Sequence, residues 1–191
     1  DTLFWWLEAD LLRWAGVKTI VMPFGGDAYM TSKVLDISVR HGLLLSIPNL
    51  VKQEAQITRR VHYWSQRADI AMSWFMVDGL GRWDVTCFSG ICLDTNEWQA
   101  KTIYSACDGR NGPVKVVHTP NFRGFKGSEF LVQAVQELQA EGLQIELRLL
   151  EKVPNAQVRE LMPQMDILME QLLIGYALSG MEGMASGLPV L

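Results

Sequence analysis

The sequence predicts an α/β protein built on parallel strands, and three observations carry that prediction. Short strand-like runs alternate with helical patterns through the second half; the strand ends run into loops bearing Gly, Pro and charge; and apolar and charged residues, at 49% and 20%, stand in globular proportion. The clearest instance is Val114 to Gly142, VKVVHTPNFRGFKGSEFLVQAVQELQAEG, which reads as buried strand, polar loop and amphipathic helix. Val114, Val116 and Val117 form the strand and Pro120 ends its pairing. Ser128 suits an N-cap, Phe130, Leu131, Ala134, Val135 and Leu138 recur at helical spacing, and Gly142 suits the C′ position.

The first half reads less regularly. Phe4 to Trp14 is expected as a helix with apolar residues on most sides, and Gly16 as its stop. KTIVM (Lys18 to Met22) is a strand ending at Pro23, after which Phe24-Gly25-Gly26-Asp27 forms a loop whose glycines admit a close backbone approach. Val34 to Ile47 is ambiguous, with GLLLSI the size of a core strand; Val51 to Ala68 has helical spacing, and Asp69 to Val77 follows as an apolar strand. Trp64, Met72, Trp74, Met76 and Trp83 read as core, and His62, with no second His or Cys nearby, as structural. SACDGRNGP is dense in turn formers and marks the domain boundary, dividing the chain into residues 1–107, a linker at 108–113 and residues 114–191. Beyond it, Ile145 to Leu150, Asn155 to Met162 and Asp166 to Gln171 read as strand, helix and strand, completing βαβαβ with right-handed crossovers. A last helix of small residues ends at Gly187, and Pro189 opens a further strand.

Composition excludes several classes of function. A net charge of −4 with scattered Lys and Arg argues against nucleic acid as a partner, and no apolar run has the length of a membrane span. Cys87, Cys92 and Cys107 form no CxxC and have no His at zinc-ligand spacing, so they read as reduced thiols of a cytoplasmic protein, with no metal site. The chain begins at Asp1 and stops in GLPVL, the first half of a strand, so it is read as an internal piece of a longer protein.

Three places combine charge with a strand end. Arg123 and Lys126 precede a helix N-terminus, an arrangement that suits a phosphate or diphosphate; the bland alternative is two solvated cations. Asp27 lies just past a strand, where the alternative is an Asx turn or a helix cap. Glu182 falls in or near the first turn of the last helix, where it either complements the helix dipole or accepts hydrogen bonds from ribose hydroxyls.

HTPNFRGFKGSEFLVQAV, LLEKVPNAQV and DILMEQLLIGYALSGMEGMASGLPV, in that order, resemble the donor-binding domain of GT-B glycosyltransferases of the family-4-like group. The resemblance implies an α/β GT-B fold of two Rossmann-like domains, both incomplete here, and a metal-independent enzyme that moves a sugar from a nucleotide-sugar donor to a glycan, lipid or small-molecule acceptor with no cofactor. It implies donor-binding roles for Asn121, Arg123, Lys126, Gly175 and Glu182, with Lys126 and Arg123 on the diphosphate and Glu182 on the ribose. The family's usual arginine falls at Asn121, and the further glutamate of many retaining members falls at Ile174. PFGGDAY is similar to the family's HGSD-type loop, with Phe24 at the usual histidine, which adds Asp27 to Lys126 and Arg123 as catalytic candidates. FSGICLDTNEW is similar to the segment that leads from the first domain into the second. Two other readings stay open, a GT-B nucleotide-sugar epimerase and a non-catalytic nucleotide- or sugar-binding module.

Overall fold

The computed structural model describes residues 4–23, 25–73, 78–86, 92–173, 175 and 177–191, and the chain divides into two compact units, residues 1–90 and 91–191. Each unit carries a three-stranded parallel sheet with helices, so the protein is α/β.

In the first unit the strands are short: β1 (Ile20–Val21), β2 (Ile70–Ser73) and β3 (Val85–Thr86), in the order β1-β2-β3. Ile20 pairs with Ile70, and Met72 with Val85. The core lies among helices. α1 spans Trp5–Trp14, α2 Ile37–Ser46 and α3 Asn49–Arg67. The apolar stripe of α3 buries Leu50, Ile57 and Tyr63, while α2 buries Val39 and Leu43. The ambiguous stretch therefore resolves as a helix: Asp36 caps it by accepting from the Val39 N–H at 2.9 Å, a local bond that outweighs the strand-like look of GLLLSI. α1 departs from expectation by burying Ala9 alone; Trp6, Leu11 and Trp14 are exposed. Trp83 is also exposed and His62 lies on the solvent side of α3, so neither belongs to the core; Trp74, Met76 and Cys87 fall outside the described residues. Arg82 ties the end of α3 to the sheet, its guanidinium donating to the carbonyls of Ser65, Ala68 and Asp69 at 3.1 Å and to Asp84.

The second unit is centred on its sheet. β4 (Val114–His118) lies between β5 (Ile145–Leu149) and β6 (Ile167–Met169), all parallel, and Val190 adds a parallel bridge to Leu168. The helices are α4 (Arg123–Lys126), α5 (Ser128–Ala140), α6 (Asn155–Leu161) and α7 (Leu178–Ala185). Side-chain alternation separates the two faces of the sheet. Val117 and Leu168, both fully buried, pack in one cluster with Val158 and Met162 from the α6 segment, Leu188 and Trp98. His118, on the opposite face of β4, bonds Ser128 at the start of α5. Helices α5 and α6 thus cover opposite faces. Asp108 to Pro113 is a turn within this unit, closed by the Asp108 carboxylate accepting from the N–H groups of Arg110 and Asn111. Gly142, at φ +93, stands just past α5 in the left-handed conformation expected of a C′ residue.

Candidate functional site

Strand order in the second unit creates a crevice. From β4 the chain crosses over α5 to β5 on one side, then returns over α6 on the other face to β6 on the far side of β4. The connections leaving β4 and β6 diverge, and in open parallel sheets the carboxyl edge at such a switch point is where ligands bind. His118 and Met169 are the paired last residues of those two strands.

At that edge the buried side chains of His118, Lys126, Ser128 and Glu170 converge. His118 is fully buried, its Nδ1 2.7 Å from the Met169 carbonyl and its Nε2 2.8 Å from Ser128 Oγ. A carbonyl only accepts, so Nδ1 carries the proton and Nε2 accepts from the serine hydroxyl. Burial pushes the imidazole below its ordinary value; the bond to Met169 opposes this, and the charge of Lys126 reinforces it. Ser128 is therefore no N-cap. It is the first residue of α5, and its side chain is committed to His118.

Lys126 follows in the single turn of α4, which Gly127 ends at φ +72. A Cβ at Gly127 would lie 3.0 Å from Leu172, so only glycine lets this turn meet the chain leaving β6. Lys126 is buried and forms an ion pair with Glu170, the residue after β6, while also donating to Ser179 Oγ at 3.0 Å. Glu170 accepts through both oxygens. One oxygen takes Lys126 and the Ser179 hydroxyl at 2.7 Å; the other takes the N–H of Ala177, at the start of α7, at 2.7 Å.

Glu182 lies on α7, but that helix begins at Leu178, so the glutamate is a full turn inside and not in the first turn as its position before Gly187 implies. It is buried, and Asn155 Nδ2 at the start of α6 donates to one of its oxygens at 2.9 Å. Burial raises its carboxyl above the ordinary value, opposed by the Asn155 bond and by the Lys126 charge. α7 packs tightly on the sheet: a Cβ at Gly183 would clash with Leu168 Cδ2.

The other predicted residues lie apart from this cluster. Arg123 is half-exposed and paired with Glu129 at 2.7 Å and Glu151 at 3.2 Å. Asn121 turns its side chain to the N–H of Phe122, and Gly175 is exposed with its carbonyl accepting from Gln171. Asp27 belongs to the first unit, exposed in a 3-10 turn (Gly25–Asp27), where it caps no α-helix and lines a cavity of about 490 Å³ with Arg60, Trp64 and Met72. Phe24 and Ile174 fall outside the described residues. Of the residues singled out from the sequence, Lys126 and Glu182 are among the buried polar groups here, whereas Glu170, Ser179, Asn155 and His118 were not singled out. Glu170 had a readable signal, being the first charge after the apolar run ILM at a strand end.

Fold and site together define an α/β protein of open parallel sheets with a buried, ion-paired polar cluster at a switch point. Comparison of the chain with protein-family models, with curated proteins and with solved structures gives no match. Among the described residues no helix is long and apolar enough to cross a membrane, and no His, Cys, Asp and Glu side chains gather as a metal site.

Proposed function

We propose that this chain is part of a GT-B glycosyltransferase whose second unit holds a nucleotide-sugar donor at the crevice between β4 and β6. The observation that carries the reading is that Lys126, from the loop after β4, is buried against Ser179 at the entry of the same helix that carries Glu182, after β6, across one switch point. In this reading Lys126, with Arg123 nearer solvent, takes the diphosphate and stabilises the charge that grows on it as the glycosidic bond breaks. Glu182 accepts from the ribose hydroxyls through its carboxylate, held on one oxygen by Asn155. Asn121 and Gly175 supply secondary contacts, and Asp27, in the first unit, is the acceptor-side catalytic candidate. Membrane-peripheral or cytoplasmic acceptors both suit it.

The test is donor binding and sugar transfer by the full-length protein against a panel of nucleotide sugars. Glu182→Gln should weaken the intact donor by about tenfold to a hundredfold, the equivalent of one charge-assisted bond, and leave a 2′,3′-dideoxy nucleotide bound as in wild type. Equal affinity of wild type and variant for the intact donor would remove Glu182 from the site and the transferase reading with it.

A further inference from the structure

Glu170 is a buried carboxylate with no role in the reading above, and its contacts are unlike those of a solvent-facing partner. Its side chain is 3% exposed and that of Lys126 is 6% exposed, so neither charge is compensated by bulk water. Each of its oxygens is used, and the three donors come from both sides of the switch point: Lys126 from the β4 side, Ala177 and Ser179 from the entry to α7. Ser179 also accepts from Lys126, closing a three-membered ring of bonds. The backbone repeats the link, with the N–H of Leu172 donating to the Lys126 carbonyl at 3.3 Å. Lys126 has a long flexible stem and would otherwise sample several rotamers. The carboxylate removes that freedom and also fixes where α7 starts, which sets the position of Glu182 along the same helix.

We propose that Glu170 is a positioning residue, which locks the Lys126 ammonium and the entry of α7 in one register so that the phosphate-facing and ribose-facing groups act on the same ligand. The proposal rests on the nucleotide-sugar reading of this crevice. It differs from a purely structural role because the effect of Glu170 on anion binding must pass through Lys126. It differs from a blocking role, in which the carboxylate occupies the ammonium and keeps anions out, in the sign of that effect.

The probe is inorganic pyrophosphate, titrated calorimetrically into the full-length protein as wild type, Lys126→Met, Glu170→Gln and the double variant, with a melting curve for each. Each single change should weaken pyrophosphate at least fivefold, and Glu170→Gln should change affinity by less than twofold once Lys126 is Met. Tighter binding by Glu170→Gln would overturn the proposal in favour of a blocking role, and an equal loss in both backgrounds would overturn it in favour of a general effect on the fold. If Lys126→Met binds pyrophosphate as wild type does, the diphosphate reading fails and the positioning role with it. If Lys126→Met weakens binding and Glu170→Gln does not, only the positioning role fails. Should Glu170→Gln give no cooperative melt, Glu170→Asp decides: it keeps the charge but shortens the reach by one methylene, and a loss of at least threefold is expected, whereas wild-type affinity would overturn the proposal.

Discussion

The two sheets of this protein are both parallel and three-stranded, yet they stand in opposite relation to their cores. In the second unit the central strand is buried on both faces, with Val117 fully buried among α6-side residues and His118 fully buried toward α5. In the first unit the strands run two to four residues, the edge residues Ile20 and Val85 are 62% and 47% exposed, and the central strand β2 buries Ala71 and Ser73 on one face while Ile70 is exposed on the other. A strand covered on both faces can hold polar groups at its end in a fixed, dry geometry, because the packing on each side decides where they point. A sheet with an open face keeps polar groups dry only on its covered side, where Ser73 at the end of β2 is buried. The contrast explains why the buried polar cluster forms at the β4–β6 edge, whereas Asp27, after β1, is solvated.

The largest expected effect tests the dry edge directly. Lys126→Ala leaves Glu170 as a buried, uncompensated charge, and should cost about 3–5 kcal/mol of stability in denaturant unfolding; Arg123→Ala, at the solvated rim, should leave the midpoint nearly unchanged because exposed pairs contribute little. Equal midpoints for the two variants would mean that the cluster is solvated. Next, Leu168→Ala in β6 should cost about 2–5 kcal/mol, and Val85→Ala in β3 no more than about 0.5 kcal/mol, since only the first opens a cavity. A comparable loss at Val85 would show that the first sheet is covered in solution. Gly127→Ala should cost about 1–3 kcal/mol, because a left-handed φ and the approach of Leu172 both oppose a Cβ.

The smallest effect is on pH dependence, where His118 and Glu182 act with opposite sign. The folded pKa of His118 lies below its ordinary value of 6.5, so its contribution is fully present above that pH and is lost as pH falls through 6.5 toward the folded value. The folded pKa of Glu182 lies above its ordinary value of 4.5, so its contribution is fully present below that pH and is lost as pH rises through the folded value. Between pH 4.5 and 6.5, Glu182 lowers stability as pH rises from the lower end and His118 raises it toward the upper end. Melting temperatures across that window should therefore rise more steeply with pH in Glu182→Gln than in wild type. A flatter profile in the variant would mean that Glu182 is not desolvated.

Local pattern by itself determined most strands and helices of the second half, because they are signalled within their own residues: a β-branched run for β4, apolar-polar alternation for β5, 3.6-residue spacing and Gly142 for α5, Gly187 for the end of α7; the single turn of α4 read as loop. It also placed Lys126 and Glu182 at strand-end loops and helices, from the order of elements alone. What it could not decide is which polar side chains meet. Ser128 has the chemistry of an N-cap, and only the face presented by β4 shows that its hydroxyl belongs to His118; two cations in one loop look equivalent, and only the returning chain after β6 buries Lys126 against Glu170 while leaving Arg123 to the solvent. Glu170 and Lys126 are 44 residues apart. Pairing across such a separation is set by sheet order and crossover, where desolvation forces each buried charge to find its partner, and no local spacing carries that information.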